Sequence, residues 1–185
     1  MAEKARTETD RIRFTADVVV VGDRAIVRFP AEASAKLPSR GQVAVLGEMN
    51  GQAFEAVVEP DGARGHWLGV DASAGAWRGS LGEGDSVTVE IERNDAWPEP
   101  QVPSEFEEAL AETPAADETW SDITPMARWE WVRWVNATKN PQTRDRRIEV
   151  SMSKLGKGMR RPCCFDLASC TDPELSKNGK LLGLS

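Results

Sequence analysis

The chain has one histidine, His66, in 185 residues. A Ser-His-Asp or Cys-His site would have to be built on it, and His66 precedes Trp67 in a strand-like segment where a structural role is the expectation. Cysteine is also scarce: Cys163, Cys164 and Cys170. An odd number without a Cys-x-x-Cys pair fits a reduced compartment better than a disulfide framework and argues against zinc. No metal or cofactor is expected. No window of about 18 apolar residues occurs, so no membrane-spanning helix is expected. The first ten residues are polar, without the apolar segment of a secretory signal, which makes the cytoplasm the expected location. Lys and Arg are absent from residues 95–122, which hold nine acidic residues. With a net charge of −7, bulk attraction to nucleic acid or membrane is disfavoured.

What is present is unevenly distributed. Residues 128–161 hold ten Lys/Arg against three Asp/Glu, and residues 119–165 hold four of the seven tryptophans. A local basic surface therefore survives the acidic total. The rest is ordinary for a soluble protein, 40% hydrophobic and 29% charged. Neither an internal repeat nor a low-complexity tract occurs.

The first half reads as β structure. After a polar arm over 1–10, residues 12–21 alternate and then run apolar, Gly22-Asp23 turns, and 24–29 return as a hairpin. Residues 31–36 suit a short helix between Pro30 and Pro38. Segments 42–49 and 52–58 flank Asn50-Gly51, a strong short-range hairpin signal. Residues 60–62 break the chain, 66–71 form another strand, and Gly84-Asp85 introduces 86–93. About six short strands with tight turns over 11–95 point to a small antiparallel barrel, whose closure removes the edges.

Residues 96–118 read as a proline-rich acidic linker with a short helix. Ser104 and Glu107 suggest a capping box, the helix runs to about Glu112, and Thr113-Pro114 stops it. Residues 119–185 read as a helical module and tail. Thr124-Pro125 opens a helix through about Thr138, and Asn140-Pro141 opens another to about Leu155, with Gly156 placed to cap it. The two make an αα-hairpin, and the fold class is α+β. On the first helix Ala127, Trp131, Trp134, Val135 and Thr138 share a face. Trp129 and Val132 lie on another. The tryptophans suit a core, with a stacking platform for a base or ligand as the alternative.

On the second helix Ile148, Met152 and Leu155 form an apolar stripe, and Arg144 falls on it one turn earlier. Arg147 borders the stripe, while Arg146 points away beside Glu149. A guanidinium on a buried face needs a partner, either an internal carboxylate or a bound anion that matches its fork. Arg144, Arg147, Lys157, Arg160, Arg161 and Trp134 are thus the candidate anion-binding residues. Cys163 and Cys164 are the candidate reactive thiols, since Arg160 and Arg161 can lower a thiol pKa. The alternative is that they are small residues beside a basic loop, one of them buried. Gly156-Lys157-Gly158 lacks the spacing and preceding strand of a phosphate loop. Asp61-Gly62 and Gly84-Asp85 read as turns rather than metal loops.

Trp134, the run 139–144, Arg146-Arg147-Ile148, Lys154-Leu155 and the run 160–165 together resemble the YdeI/OmpD-associated family, also called OmdA and labelled bacteriocin protection. That resemblance covers roughly residues 120–165. Phe29-Pro30, residues 43–51 and 84–87 resemble an uncharacterised small β-barrel domain that often precedes it. The resemblance implies a barrel followed by a helical module, with no established reaction and no agreed catalytic residue. Its label carries a periplasmic expectation, against which the polar N-terminus weighs. Three functions follow. The first is a non-enzymatic stress or protection protein that binds an anionic small molecule or peptide in a basic cleft between barrel and helices. The second is a nucleic-acid binder using the basic C-terminal surface, which the acidic total disfavours. The third is a thiol-dependent enzyme or redox sensor on Cys163 or Cys164.

Overall fold

The structure is a computed structural model and describes residues 11–70, 80–163 and 166–183. The expected arm over 1–10, the end of the expected strand at Asp71, and Cys164 lie outside the described residues. The chain divides into two compact units. One comprises Met1–Ala96, Leu167–Cys170 and Gly179–Ser185, the other Trp97–Asp166 and Thr171–Asn178.

In the first unit, β1 (Ile12–Val21), β2 (Arg24–Arg28), β3 (Val43–Met49), β4 (Gln52–Pro60), β5 (His66–Gly69) and β6 (Ser86–Arg93) form a closed antiparallel barrel. The strand order is β1-β2-β5-β4-β3-β6, and β6 pairs back with β1. Strand β1 is long because it serves two neighbours. Its first part pairs with β6 from Ile12↔Ile91 to Asp17↔Ser86, and its second with β2 from Val18↔Val27 to Val21↔Arg24. The two-residue period puts Ile12, Phe14 and Val18 inside. Arg11 and Arg13 stay outside and pair with Glu90 on β6. Val27, Val45, Met49, Val58, Leu68, Val89 and Ile91 complete the core. Each such side chain contributes about 1.5–3 kcal/mol on burial. The short helix α1 (Ala31–Ala35) follows Pro30, as expected.

The turns are made by backbone and carboxylates. Asn50 (φ 51°) and Gly51 (φ 78°) turn the β3–β4 hairpin between the closing pair Met49↔Gln52. Asp61 Oδ1 accepts from the Ala63 and Gly65 amides at 2.7 and 2.8 Å, and Asp85 Oδ2 accepts from the Gly82 amide at 2.8 Å. Both carboxylates are turn residues, as the sequence suggests. Part of the tail also belongs to this unit: the Leu181 amide donates to the Asp61 carbonyl at 2.9 Å. Arg28 donates to the carbonyls of Leu182 and Gly183 at 2.6 and 2.8 Å.

The second unit is helical: α2 (Ser104–Glu112), α3 (Pro114–Asp122), α4 (Pro125–Asn136) and α5 (Pro141–Gly156). Two caps form as the sequence predicts. Thr124 accepts from the Ala127 amide and Asn140 from the Thr143 amide, both at 3.2 Å. Other expectations are overturned. The Ser104–Glu107 capping box is absent, because Pro103 takes the N-cap position without a side-chain bond and Ser104 Oγ donates to Glu105 instead. Thr113-Pro114 does stop α2, but it also opens α3, with Pro114 in the first turn where its missing N–H costs nothing. Gly156 does not cap α5. Gly158, at φ +80°, is the left-handed residue, and it and Met159 donate to the Leu155 and Lys154 carbonyls at 2.8 and 3.1 Å in a Schellman closure.

Helices α4 and α5 form the αα-hairpin, while the unforeseen α3 is the more extensive neighbour of α5. Phe106, Leu110, Ala116, Ile123, Ala127, Trp131, Val135, Ile148, Met152 and Leu155 build the core of this unit, with Trp120 and Trp134 at its edge. Trp131 is fully buried, so the core role expected for the tryptophans holds there.

Candidate functional site: the basic face of the helical unit

Helix α5 carries the candidate cations. At 100° per residue, Arg144, Arg147 and Lys154 fall within one sector of its surface, and buried Ser151 lies between them. Ser151 Oγ donates to the Arg147 carbonyl at 2.7 Å, so it takes no external partner there.

Trp134 is the fixed point. Its indole stands edge-on to Trp131, 6.4 Å between centroids. Arg147 lies 5.6 Å from the Trp134 ring centroid and donates to the Trp134 carbonyl at 2.8 Å. Lys154 lies 5.5 Å from the same centroid. Its Nζ donates to Cys163 Sγ at 3.2 Å. Two cations from successive parts of α5 therefore hold one indole, each attracted to the ring face.

The remaining predicted cations sort by their acids. Arg160 donates to Asp122 Oδ2 at 2.5 Å and to its carbonyl at 3.1 Å. Arg161 grips Glu130 with two nitrogens, one bond being 2.7 Å, and that hydrogen bonding raises the guanidinium pKa further. Arg144 departs from its expected burial. Its side chain is 34% exposed, and the nearest carboxylate is Glu105 at 3.9 Å. The long stem covers the apolar stripe while the head reaches outward, although its Nε is buried without a partner. Glu105 is held below its ordinary pKa by a bond from its own backbone amide and, less, by Arg144. Arg146 pairs with Glu149 at 2.9 Å in solvent, as expected. Lys157 is the exposed C-cap residue of α5. Among the described residues, no carboxylate lies within 4 Å of the charged ends of Arg147, Lys154 or Lys157.

Cys163 is exposed and Cys170 buried. Arg160 and Arg161, expected near the thiols, are engaged by Asp122 and Glu130, and the cation beside Cys163 is Lys154. His66 is buried in the barrel unit, with Nδ1 2.7 Å from Ser34 Oγ and Nε2 3.2 Å from the Gly41 carbonyl. Donation from Nε2 to the carbonyl fixes the neutral tautomer that accepts at Nδ1. Burial pushes its pKa below the ordinary value. This is a satisfied structural histidine. Among the described residues, no cluster of His, Cys, Asp and Glu could hold a metal, and no helix is long and apolar enough to cross a membrane.

Three residues are not among the predicted site residues. Lys154 lies seven residues after Arg147, two helical turns along the same face, and that spacing was the available signal. Glu130 is a buried acid on a helix read chiefly for its tryptophans. Arg128 donates to the Trp120 and Ser121 carbonyls and to Glu99, at 2.9, 3.0 and 2.7 Å, clasping the linker and the end of α3.

Residues 99–158 match the family described as "Bacteriocin-protection, YdeI or OmpD-Associated", OmdA. Residues 14–91 match a domain of unknown function, DUF1905. The first match begins earlier than the resemblance at 120–165 suggested, taking in α2 and α3, and ends before Arg160. No curated protein and no solved structure matches the chain. Over residues 99–158 the chain is thus similar to the YdeI/OmpD-associated family, and a segment similar to DUF1905, residues 14–91, precedes that stretch.

Proposed function

We propose that the helical unit is a non-enzymatic anion-binding module, and that this binding underlies a protective role of the kind the family description names. The observation that carries the reading is the sorting of cations. Arg128, Arg160 and Arg161 are neutralised by Glu99, Asp122 and Glu130, whereas Arg147 and Lys154 converge on Trp134 with no carboxylate in reach among the described residues. Arg147 spends one donor on the Trp134 carbonyl and keeps the rest of its fork. Lys154 spends one of three protons on Cys163. Arg144 and Lys157 extend the basic surface at either end of α5.

The test is an NMR titration that follows the indole N–H of Trp134, with phosphate, carboxylates and a nucleotide at millimolar concentration. The reading expects a saturable shift that Lys154→Met and Arg147→Met each weaken. If no anion moves the Trp134 signal beyond its response to matched chloride, the module does not bind anions. One contact favours a second reading, a thiol-dependent activity: Cys163 Sγ lies beside the Lys154 ammonium. Loss of a thiol-dependent turnover in Cys163→Ser would be its signature.

A further inference from the structure

We infer that the ligand of this basic face is an extended acidic peptide segment whose two carboxylates engage Arg147 and Lys154 together. The inference rests on the anion-binding reading and adds the chemical class of the ligand. Seven residues of α-helix separate the two cations by about 10.5 Å along the axis. Their charged ends both lie within 6 Å of the Trp134 centroid, so both border one indole while rooted two turns apart. An extended chain places alternate side chains on one side, about 6.6–6.8 Å apart. Two acidic residues in a Glu-x-Glu pattern can therefore each meet a cation.

Between the cations the helix offers no competing acid on that face. Ser151 is buried and internally bonded, and Glu149 points away with Arg146. The ligand must also approach a protein of net charge −7. At physiological salt that repulsion fades within about 8 Å, so the local pair decides.

The experiment titrates the full chain with acetyl-Glu-Ala-Glu-amide, acetyl-Glu-Ala-Gln-amide and inorganic phosphate, reading the Trp134 indole signal. Each exposed ion pair is worth at most about 1 kcal/mol, so the two-carboxylate peptide should bind about three- to fivefold tighter than the one-carboxylate peptide. Lys154→Met should remove that difference while the helical circular dichroism of the protein stays unchanged. Lys154→Gln serves as a second variant of the same kind, and neither touches the backbone bond that Arg147 makes. Equal affinity for the two peptides overturns the inference. So does tighter binding of phosphate than of either peptide, though that result leaves the anion-binding reading standing. No response to any of the three removes both.

Discussion

Lys154 Nζ donates to Cys163 Sγ at 3.2 Å, so the ammonium that sits over Trp134 also tethers the loop after α5. A cation at that distance favours the thiolate, which is the reactive form. In a Cys164→Ser background, a maleimide at neutral pH should label Cys163 readily and buried Cys170 hardly at all. Lys154→Met should slow the Cys163 reaction by roughly threefold to tenfold. Mass spectrometry of time-stopped samples reads both rates, and an unchanged rate would show that the ammonium does not act on the thiol.

The two arginines of the basic loop should differ in weight. Arg160 and Asp122 are both largely exposed, 55% and 71%, and Arg160→Met should cost no more than about 1 kcal/mol. The Glu130 side chain is only 8% exposed, and Arg161 is its bidentate partner. Arg161→Met strands that carboxylate, but half of the guanidinium already meets solvent, so the expected loss is about 1–2 kcal/mol. Urea denaturation of the two variants, followed by helical circular dichroism, should rank them in that order. Equal losses would mean that Glu130 finds water once Arg161 is gone.

The site was only partly legible in the sequence, and the reason is physical. Helix periodicity put Arg144 on the stripe of Ile148, Met152 and Leu155, and the stripe is indeed buried. Periodicity assigns a direction to Cβ, not to the end of a long side chain. The head of Arg144 leans out, so Arg144→Met should change stability by less than about 1 kcal/mol, not by the several expected of a broken buried pair. Likewise the run Arg160-Arg161 reads as one basic patch until tertiary structure delivers Asp122 and Glu130 to it. The barrel was easier. Asn50-Gly51, Gly22-Asp23 and the alternation at the start of β1 are local signals, and the two turns close the register pairs Met49↔Gln52 and Val21↔Arg24. Helix α3 is not legible in the sequence because Pro114 reads as a stop, although proline equally suits a first helical turn.

His66 gives the barrel a pH signature. Its pKa in the folded protein lies below the ordinary 6.5, because burial disfavours the imidazolium. The unfolded chain then binds more protons as pH falls through that range. The contribution of His66 to stability is therefore complete above about pH 6.5 and is lost as pH falls toward the lower folded value. Barrel methyl signals, such as those of Val89 and Ile91, should report a falling urea midpoint between pH 7.5 and 5.5. His66→Gln should show a shallower slope. A midpoint that is flat or rises on acidification would place the imidazole outside the buried, neutral state.

The end of α5 allows a test with two opposite signs. Gly156 is the last helical residue, and a Cβ there would meet only the Ala115 Cβ at 4.0 Å, an ordinary contact. Gly156→Ala should therefore stabilise the helical unit by about 0.4–1 kcal/mol, through lower entropy of the unfolded chain and better helix propensity. Gly158 has open space for a Cβ, but it sits at φ +80°, where an L side chain costs roughly 1–2 kcal/mol. Gly158→Ala should destabilise by about that amount, even though nothing clashes. It should also loosen the Schellman closure, in which Gly158 and Met159 donate to Leu155 and Lys154. Thermal melting of the two variants, read by helical circular dichroism, decides the matter. If Gly156→Ala lowers the melting temperature and Gly158→Ala does not, Gly156 is the cap after all. Lys154, whose carbonyl Met159 caps, would then be held differently against Trp134.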